Sequence, residues 1–431
     1  MAWMPEQDVS TAVRTMDSKR AVIIGYDAVS PLGLDLAAQW DSALQGRSGI
    51  GRLTRFPTSA NFPVQIAGEV PDIDHLPYDF LKPREQARWV SPIFKYALLT
   101  VQRALESCGL DITPALAPRT AITYSSAVGG LDALLDADRK LMAEGNLPMP
   151  YVNPNSCINM VTGRVSMWTG ATGPITSTIT ACATGLTSMI MGAMLLELNR
   201  ADVVICGAVD FALVSPIVAG FATMNGAFVP KEGEPAEAPA LASRPFSGHR
   251  RGFVISEGAG CILLASQAFA DAHGLDYAVA MGGWSMTSDA YHFVAPNFET
   301  VCRCIQESIE RGGITPGQVD AINAHATSTR VGDKVEFDAL SAAFGGKLPP
   351  VTANKSLIGH AMGASSAIES ILAVQGMAEG ILPPTINYQA DPQIDIDCVA
   401  EGCRKVDQTF VLKNAFGFGG CNSCVVFERL K

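Results

Sequence analysis

The second half of this chain replays the order of the first. Residues 119–124 read as a short strand that ends in a polar loop, and residues 319–323 do the same. Residues 175–180, rich in β-branched side chains, lead through Cys182 into a long apolar helical stretch ending near Asn199. Residues 351–355 lead through a Gly/His loop into a second helical stretch over 364–376. Residues 254–264 read as strand, glycine break, strand, and residues 410–427 repeat that pattern. Agreement in order points to a duplicated unit. Buried strands alternating with helices predict an α/β protein with mainly parallel sheets, covered on both faces. The expected division is a polar, disordered extension over residues 1–19 and two α/β halves, 20–269 and 270–431.

Two such halves need a large interior, and the composition supplies one: 48% of residues are apolar and 17% charged. The net charge of −11 argues against a general nucleic-acid binder. An acidic partner would have to dock on a local basic patch. The eleven cysteines are scattered; Cys302 and Cys304 are close, as are Cys421 and Cys424, but no second pair sits at zinc-ribbon spacing. Most read as small buried apolar residues in a reducing cytoplasm. The first twenty residues contain no apolar core of a secretory signal. No stretch offers the roughly 18 uninterrupted apolar residues of a membrane span, so a cytoplasmic location is expected.

Cys182 lies at a predicted strand-to-helix turn, flanked by Ala181, Ala183 and Gly185. Small neighbours permit a sharp turn and leave the sulfur accessible. The unpaired N–H groups of a helix start favour a thiolate and would also stabilise a tetrahedral oxyanion. A buried structural cysteine is the competing reading. His325 follows a predicted strand, and His360 lies in the Gly/His loop. Both sit among Gly, Ser and Thr, where a neutral imidazole can hold an enolate oxygen or shuttle a proton. Lys355 is either a solvated lysine or a buried cation, and Glu369 on the following helix is its candidate partner. Residues 414–420 (Asn-Ala-Phe-Gly-Phe-Gly-Gly) read as a flexible turn. They are not a phosphate loop, because no Lys-Ser/Thr and no helix follow. A mobile aromatic gate over an apolar tunnel fits them better.

Together the runs 180–185 (Thr-Ala-Cys-Ala-Thr-Gly), 323–329 (Asn-Ala-His-Ala-Thr-Ser-Thr), 355–364 and 414–420 resemble the β-ketoacyl-acyl carrier protein synthases, nearest the type II elongating enzymes. The runs 254–260 and 288–292 also match, and the likeness extends from Arg20 to Phe427. The resemblance implies the thiolase fold, duplicated α/β halves in a five-layered αβαβα arrangement, and usually a homodimer. It implies Cys182 as acylated nucleophile, and His325 and His360 as the pair supporting malonyl decarboxylation. It also implies Lys355 as the essential lysine, Glu369 as the carboxylate of that network, and the N–H groups of Cys182 and Phe418 as oxyanion hole. Phe418 would be the gate, with Val128 and Phe221 lining the acyl tunnel. Thr327 and Thr329 would contact the phosphopantetheine arm of an acyl carrier protein, and Lys82, Arg84 and Arg88 would dock that acidic carrier. No metal or bound cofactor is implied, since the substrates bring the phosphopantetheine.

Four departures from the family pattern stand out. Ala326 replaces a usual glycine, Arg251 an aspartate, Cys421 a threonine, and Ser365-Ser366 a usual Ala-Gly. They point away from housekeeping fatty-acid synthesis, toward a polyketide, polyene or unusual fatty-acid pathway. The competing readings are a coenzyme A-dependent thiolase and a non-catalytic chain-length partner subunit. The first typically uses a second reactive cysteine, and the second lacks the nucleophile.

Overall fold

A computed structural model describes residues 19–74, 76, 82–230 and 238–430. The extension expected over 1–19 lies, Lys19 apart, outside the described residues. Nine strands form one sheet: β1 (Ala21–Val29), β2 (Thr120–Ile122), β3 (Val203–Phe211), β4 (Glu257–Ser266), β5 (Val279–Ser288), β6 (Ala321–Asn323), β7 (Val351–Thr352), β8 (Phe410–Gly417) and β9 (Cys421–Arg429). Their order is β2-β3-β4-β1-β5-β9-β8-β6-β7.

The duplication is visible in the pairing. Strand β2 runs parallel to β3, which runs antiparallel to β4, which runs antiparallel to β1. Beyond the join, β6 runs parallel to β8, which runs antiparallel to β9, which runs antiparallel to β5. Among the described residues, the strands of the two series pair with each other only at Val22↔Ala280 and Ile23↔Val279, where β1 touches β5. The sheet is therefore mixed, contrary to the mainly parallel expectation. The turn over residues 418–420 is too short for the crossover that parallel neighbours require, so β8 and β9 must be antiparallel. Periodicity reports which side chains are buried and says nothing of strand direction.

Helices complete five layers. α1 (Pro92–Cys108) and α2 (Asn159–Thr169) cover the outer face of the first half, and α4 (Phe298–Arg311) and α5 (Arg330–Ala343) that of the second. Between the halves lie α3 (Thr184–Glu197) and α6 (Met362–Glu379), which pack on each other and on strands of both series. Nearly every residue of α6 is buried, as a helix enclosed on all sides requires. Residues 92–108 read in the sequence as an amphipathic helix closed by Gly109, and helix α1 has those bounds, the Gly109 φ of +64° supplying the left-handed cap.

Two local expectations fail for one reason each. Residues 175–180 do not form a strand: Ile175 bridges Ile122, Thr176 N–H bonds to Ile122, and the chain then leaves the sheet. β-branched residues fit a strand, but pairing also needs a neighbour on the ladder. Residues 257–266 form one uninterrupted strand, so the glycines there do not break it. A Cβ at Gly260 would sit 3.0 Å from the Ala367 Cβ, and one at Gly185 would sit 2.6 Å from Ala367 N. These glycines let α6 settle against β4 and α3 at contact distance.

Candidate active site

Cys182 occupies a short 3-10 turn, Ala181–Ala183, immediately before α3. Ala181 takes a φ of +48°, a left-handed conformation that costs a non-glycine residue about 1–3 kcal/mol. The turn is held by Thr184 Oγ1, which accepts from Thr180 N–H (3.0 Å) and donates to Ala181 O (2.7 Å). Cys182 is 6% exposed and lines a cavity of about 580 Å³. His325, His360, Phe416, Phe418, Thr327 and Thr329 share that wall.

Cys182 is carried by the first series of elements and both histidines by the second, and they converge. His360 Nε2 lies 3.1 Å from Cys182 Sγ, and its Nδ1 lies 3.1 Å from Ser365 Oγ. The His325 and His360 rings are 5.8 Å apart, edge to face. His325 Nδ1 is buried with no hydrogen-bond partner among the described residues.

Beneath the imidazoles lies a buried ionic network. Lys355 Nζ donates to the His325 carbonyl and to Glu369 Oε1, each at 2.6 Å. Lys413 Nζ donates to Glu369 Oε2 at 2.6 Å and to the Asn414 carbonyl at 2.9 Å. Glu336 accepts the N–H groups of His325 (2.8 Å) and Ala326 (2.7 Å) and the Asn414 amide (3.1 Å). Two ammoniums and two carboxylates thus compensate each other out of water, as buried charges must. Lys355 is the buried, paired cation of the two sequence alternatives. Lys413 escaped the sequence reading because it stands one residue before the 414–420 motif. Its signal was available: a lone lysine inside an otherwise apolar strand.

Burial, reinforced by Lys355, holds the pKa of both imidazoles well below the ordinary histidine range, so both rings are neutral. Burial also pushes the Cys182 thiol up to about 12, against the opposing pull of Lys355 and the Phe418 N–H. This reverses the thiolate expected from the helix start: desolvation outweighs the helix end. The thiol must shed its proton as it reacts.

Backbone N–H groups of Phe418 and Cys182 both approach the sulfur. Their spacing depends on Gly417, where a Cβ would fall 2.2 Å from Thr180 O and 3.3 Å from Cys182 N. Gly417→Ala should therefore pull β8 off the nucleophile turn. On the reading proposed below, in which Cys182 is acylated beside an oxyanion hole, the expected result is a slowing of its acylation by about 10²-fold, the usual loss for one oxyanion donor, read by intact mass over time. The flexible turn predicted over 414–420 is restricted to 418–420, because Asn414 to Gly417 pair with β9. Gly419 N–H bonds to the Phe293 carbonyl at 2.9 Å.

Thr327 and Thr329 stand on the cavity wall with their hydroxyls 3.0 Å apart. Val128 and Phe221 are not on that wall; they pack in an apolar cluster with Phe253 and Met362. Phe418 links the two regions, since it lines the cavity and its ring lies 6.3 Å from Phe221. Asp210, also unread in the sequence, is wholly buried and pins Val128 N–H (2.9 Å) and Ala364 N–H (3.1 Å) to one carboxyl. Burial raises that carboxyl to about 6. Lys82, Arg84 and Arg88 are exposed around the short helix Pro83–Gln86, away from the cavity wall. Arg88 stacks 5.1 Å over Tyr151.

Two family models match the chain, "Beta-ketoacyl synthase, N-terminal domain" over residues 18–270 and "Beta-ketoacyl synthase, C-terminal domain" over residues 277–389. The chain belongs to the β-ketoacyl synthase family. A 3-oxoacyl-[acyl-carrier-protein] synthase 2 of Coxiella burnetii is 35% identical, over 96% of this chain and 100% of its own. A solved β-ketoacyl synthase from Burkholderia phymatum is 26% identical with a TM-score of 0.87, covering 96% of this chain and 100% of that one. The ishigamide ketosynthase/chain length factor is 27% identical with a TM-score of 0.85, covering 96% of this chain and 99% of that one. These ketosynthases share the thiolase fold, and membership makes the chain an acyltransferase of the ketosynthase type, in fatty-acid or polyketide synthesis. No helix among the described residues is long and apolar enough to cross a membrane.

Proposed function

We propose that this β-ketoacyl synthase family member condenses a Cys182-bound acyl chain with malonyl-carrier by decarboxylative Claisen chemistry. The observation that carries this reading is the 3.1 Å approach of His360 Nε2 to Cys182 Sγ, with a second neutral imidazole beside it on the same cavity. Cys182 sulfur attacks the acyl thioester, and the oxyanion accepts from the N–H groups of Cys182 and Phe418. The carrier thiol departs with the proton that Cys182 loses. Malonyl-carrier then binds, its carbon–carboxylate bond breaks, and carbon dioxide leaves. The electron pair forms an enolate whose oxygen accepts from His325 and His360. The enolate carbon attacks the acyl carbonyl, the carbon–sulfur bond breaks, and Cys182 sulfur regains a proton from water.

The substrates ride on the phosphopantetheine arm of an acyl carrier protein, as the name of the Coxiella relative suggests for that protein. Thr327 and Thr329 are read as contacts to the arm, and Lys82, Arg84 and Arg88 as the docking patch for an acidic carrier. Phe418 is read as the gate between the cavity and the apolar cluster of Val128 and Phe221, where the acyl chain would lie. The chain is read as two halves, 20–269 and 270–431, supported by the repeated strand pairing. Ile175, bridged to β2, and Ile179, each about half exposed, suit the edge of a homodimer. A cytoplasmic location completes the reading. The specialised pathway rests on the four family departures, of which Ser365 touches His360 directly.

Incubation with acyl-carrier should add one acyl mass to the protein, and Cys182→Ala should abolish the adduct and all condensation. An adduct that survives in Cys182→Ala would end this reading. The presence of Cys182 argues against a non-catalytic partner subunit. Cys421 lies toward Asp289 and is not among the residues facing Cys182, which removes the support for a two-cysteine thiolase.

A further inference from the structure

We propose that Ser365 is the positioning residue that decides which nitrogen of His360 carries the ring proton. The inference deepens the reading above and rests on it for its kinetic arm. Ser365 lies in the first turn of α6 and is wholly buried. Its Oγ accepts the Ala361 N–H at 2.7 Å and lies 3.1 Å from His360 Nδ1. A serine hydroxyl has one hydrogen to give. The oxygen keeps a second lone pair that could accept from Nδ1–H, but that arrangement would leave the buried hydroxyl hydrogen without a side-chain acceptor among its contacts in the described residues, so in the proposed arrangement the hydroxyl donates to Nδ1. Nδ1 then holds a lone pair, and the proton of the neutral ring sits on Nε2.

That nitrogen faces the cavity, 3.1 Å from Cys182 Sγ. His360 is thereby set as a hydrogen-bond donor, the form that an enolate oxygen needs. It is not set as a base toward the cysteine thiol, since Nε2 has no lone pair to offer. The neighbouring Ser366 supports the same assembly from the other side. Its Oγ accepts the Leu186 N–H in the first turn of α3 at 3.1 Å. The two serines, which replace the Ala-Gly of the family pattern, therefore tie α6 to the imidazole and to the nucleophile helix.

The decisive measurement is the ¹⁵N spectrum of protein labelled in its histidine rings, with the His360 signals assigned by their loss in His360→Asn. Wild type should show His360 protonated at Nε2, with Nδ1 as acceptor. Ser365→Ala should shift it to a mixture of tautomers, and Ser365→Thr, which keeps the hydroxyl, should restore the first pattern. In parallel, Ser365→Ala should slow malonyl-carrier decarboxylation by about tenfold, the worth of one lost hydrogen bond. Acyl loading of Cys182 should change by less than about threefold, on the same scale. A wild-type ring protonated at Nδ1 overturns the proposal, as does an unchanged tautomer and rate in Ser365→Ala. Equal slowing of both half-reactions in the Ala and Thr variants, with a lower melting temperature, marks a packing role and also overturns it. Failure of the wild type to load acyl groups would sink the condensation reading, while the tautomer spectrum would still decide Ser365.

Discussion

Glu369→Gln should be among the most destructive single substitutions in this chain. It leaves the ammoniums of Lys355 and Lys413, both essentially without solvent exposure, facing a neutral amide. Breaking a buried ion pair from one side costs about 3–5 kcal/mol, because the orphaned charge has neither water nor partner. Here one carboxylate serves two cations, so the loss should reach the upper end of that range. Lys413→Met makes the informative contrast. It keeps the Glu369–Lys355 bond and replaces an ammonium whose acidity burial already raises. Glu336 would retain two backbone N–H donors and the Asn414 amide. The midpoint of urea unfolding should fall far more in Glu369→Gln than in Lys413→Met. Equal losses would mean that the network is no more than packing.

His325→Ala should separate the two half-reactions. The His325 ring meets the His360 and Phe416 rings, and no hydrogen bond joins it to Cys182 among the described residues. The main-chain anchors of this loop, to Glu336 and Lys355, do not involve the ring. Loss of the ring should therefore lower malonyl-carrier decarboxylation by about 10²–10⁴-fold, the range for one positioned proton-donating group. Loading of Cys182, followed by intact mass, should continue. The pH behaviour follows from the same burial. An ordinary histidine charges below about pH 6.5, whereas burial and Lys355 keep these two rings neutral there. The decarboxylation rate should show no histidine inflection near pH 6.5. Stability behaves otherwise. The unfolded chain binds protons at both rings below about pH 6.5 and the fold does not, so stability falls as pH drops through that value. The loss grows as pH falls further below that value, visible as a lower urea midpoint.

How much of this was legible in the sequence depended on the kind of residue. Cys182, His325, Lys355 and His360 stand in runs of Gly, Ser and Thr, where a reactive side chain is conspicuous. Helix α1 announced its bounds through Pro92 and Gly109. Lys413 and Asp210 were hidden because each lies inside a strand, and only the fold reveals that they turn into the interior. The acidity of Cys182 is not legible in the sequence for a related reason. A helix start can be read from residues 180–185, but the desolvation that outweighs it depends on elements brought in from far along the chain. The role of Ser365 is similar: its substitution was visible, but its contact with Nδ1 was not.

The sulfur belongs to the first series of strands and helices, whereas both imidazoles and both interior ammoniums belong to the second. On the proposed mechanism, neither portion alone holds the parts for a full turnover, even if each were perfectly folded. Regain of catalysis after denaturation thus acts as a clock for their union, an event that must trail the birth of either piece.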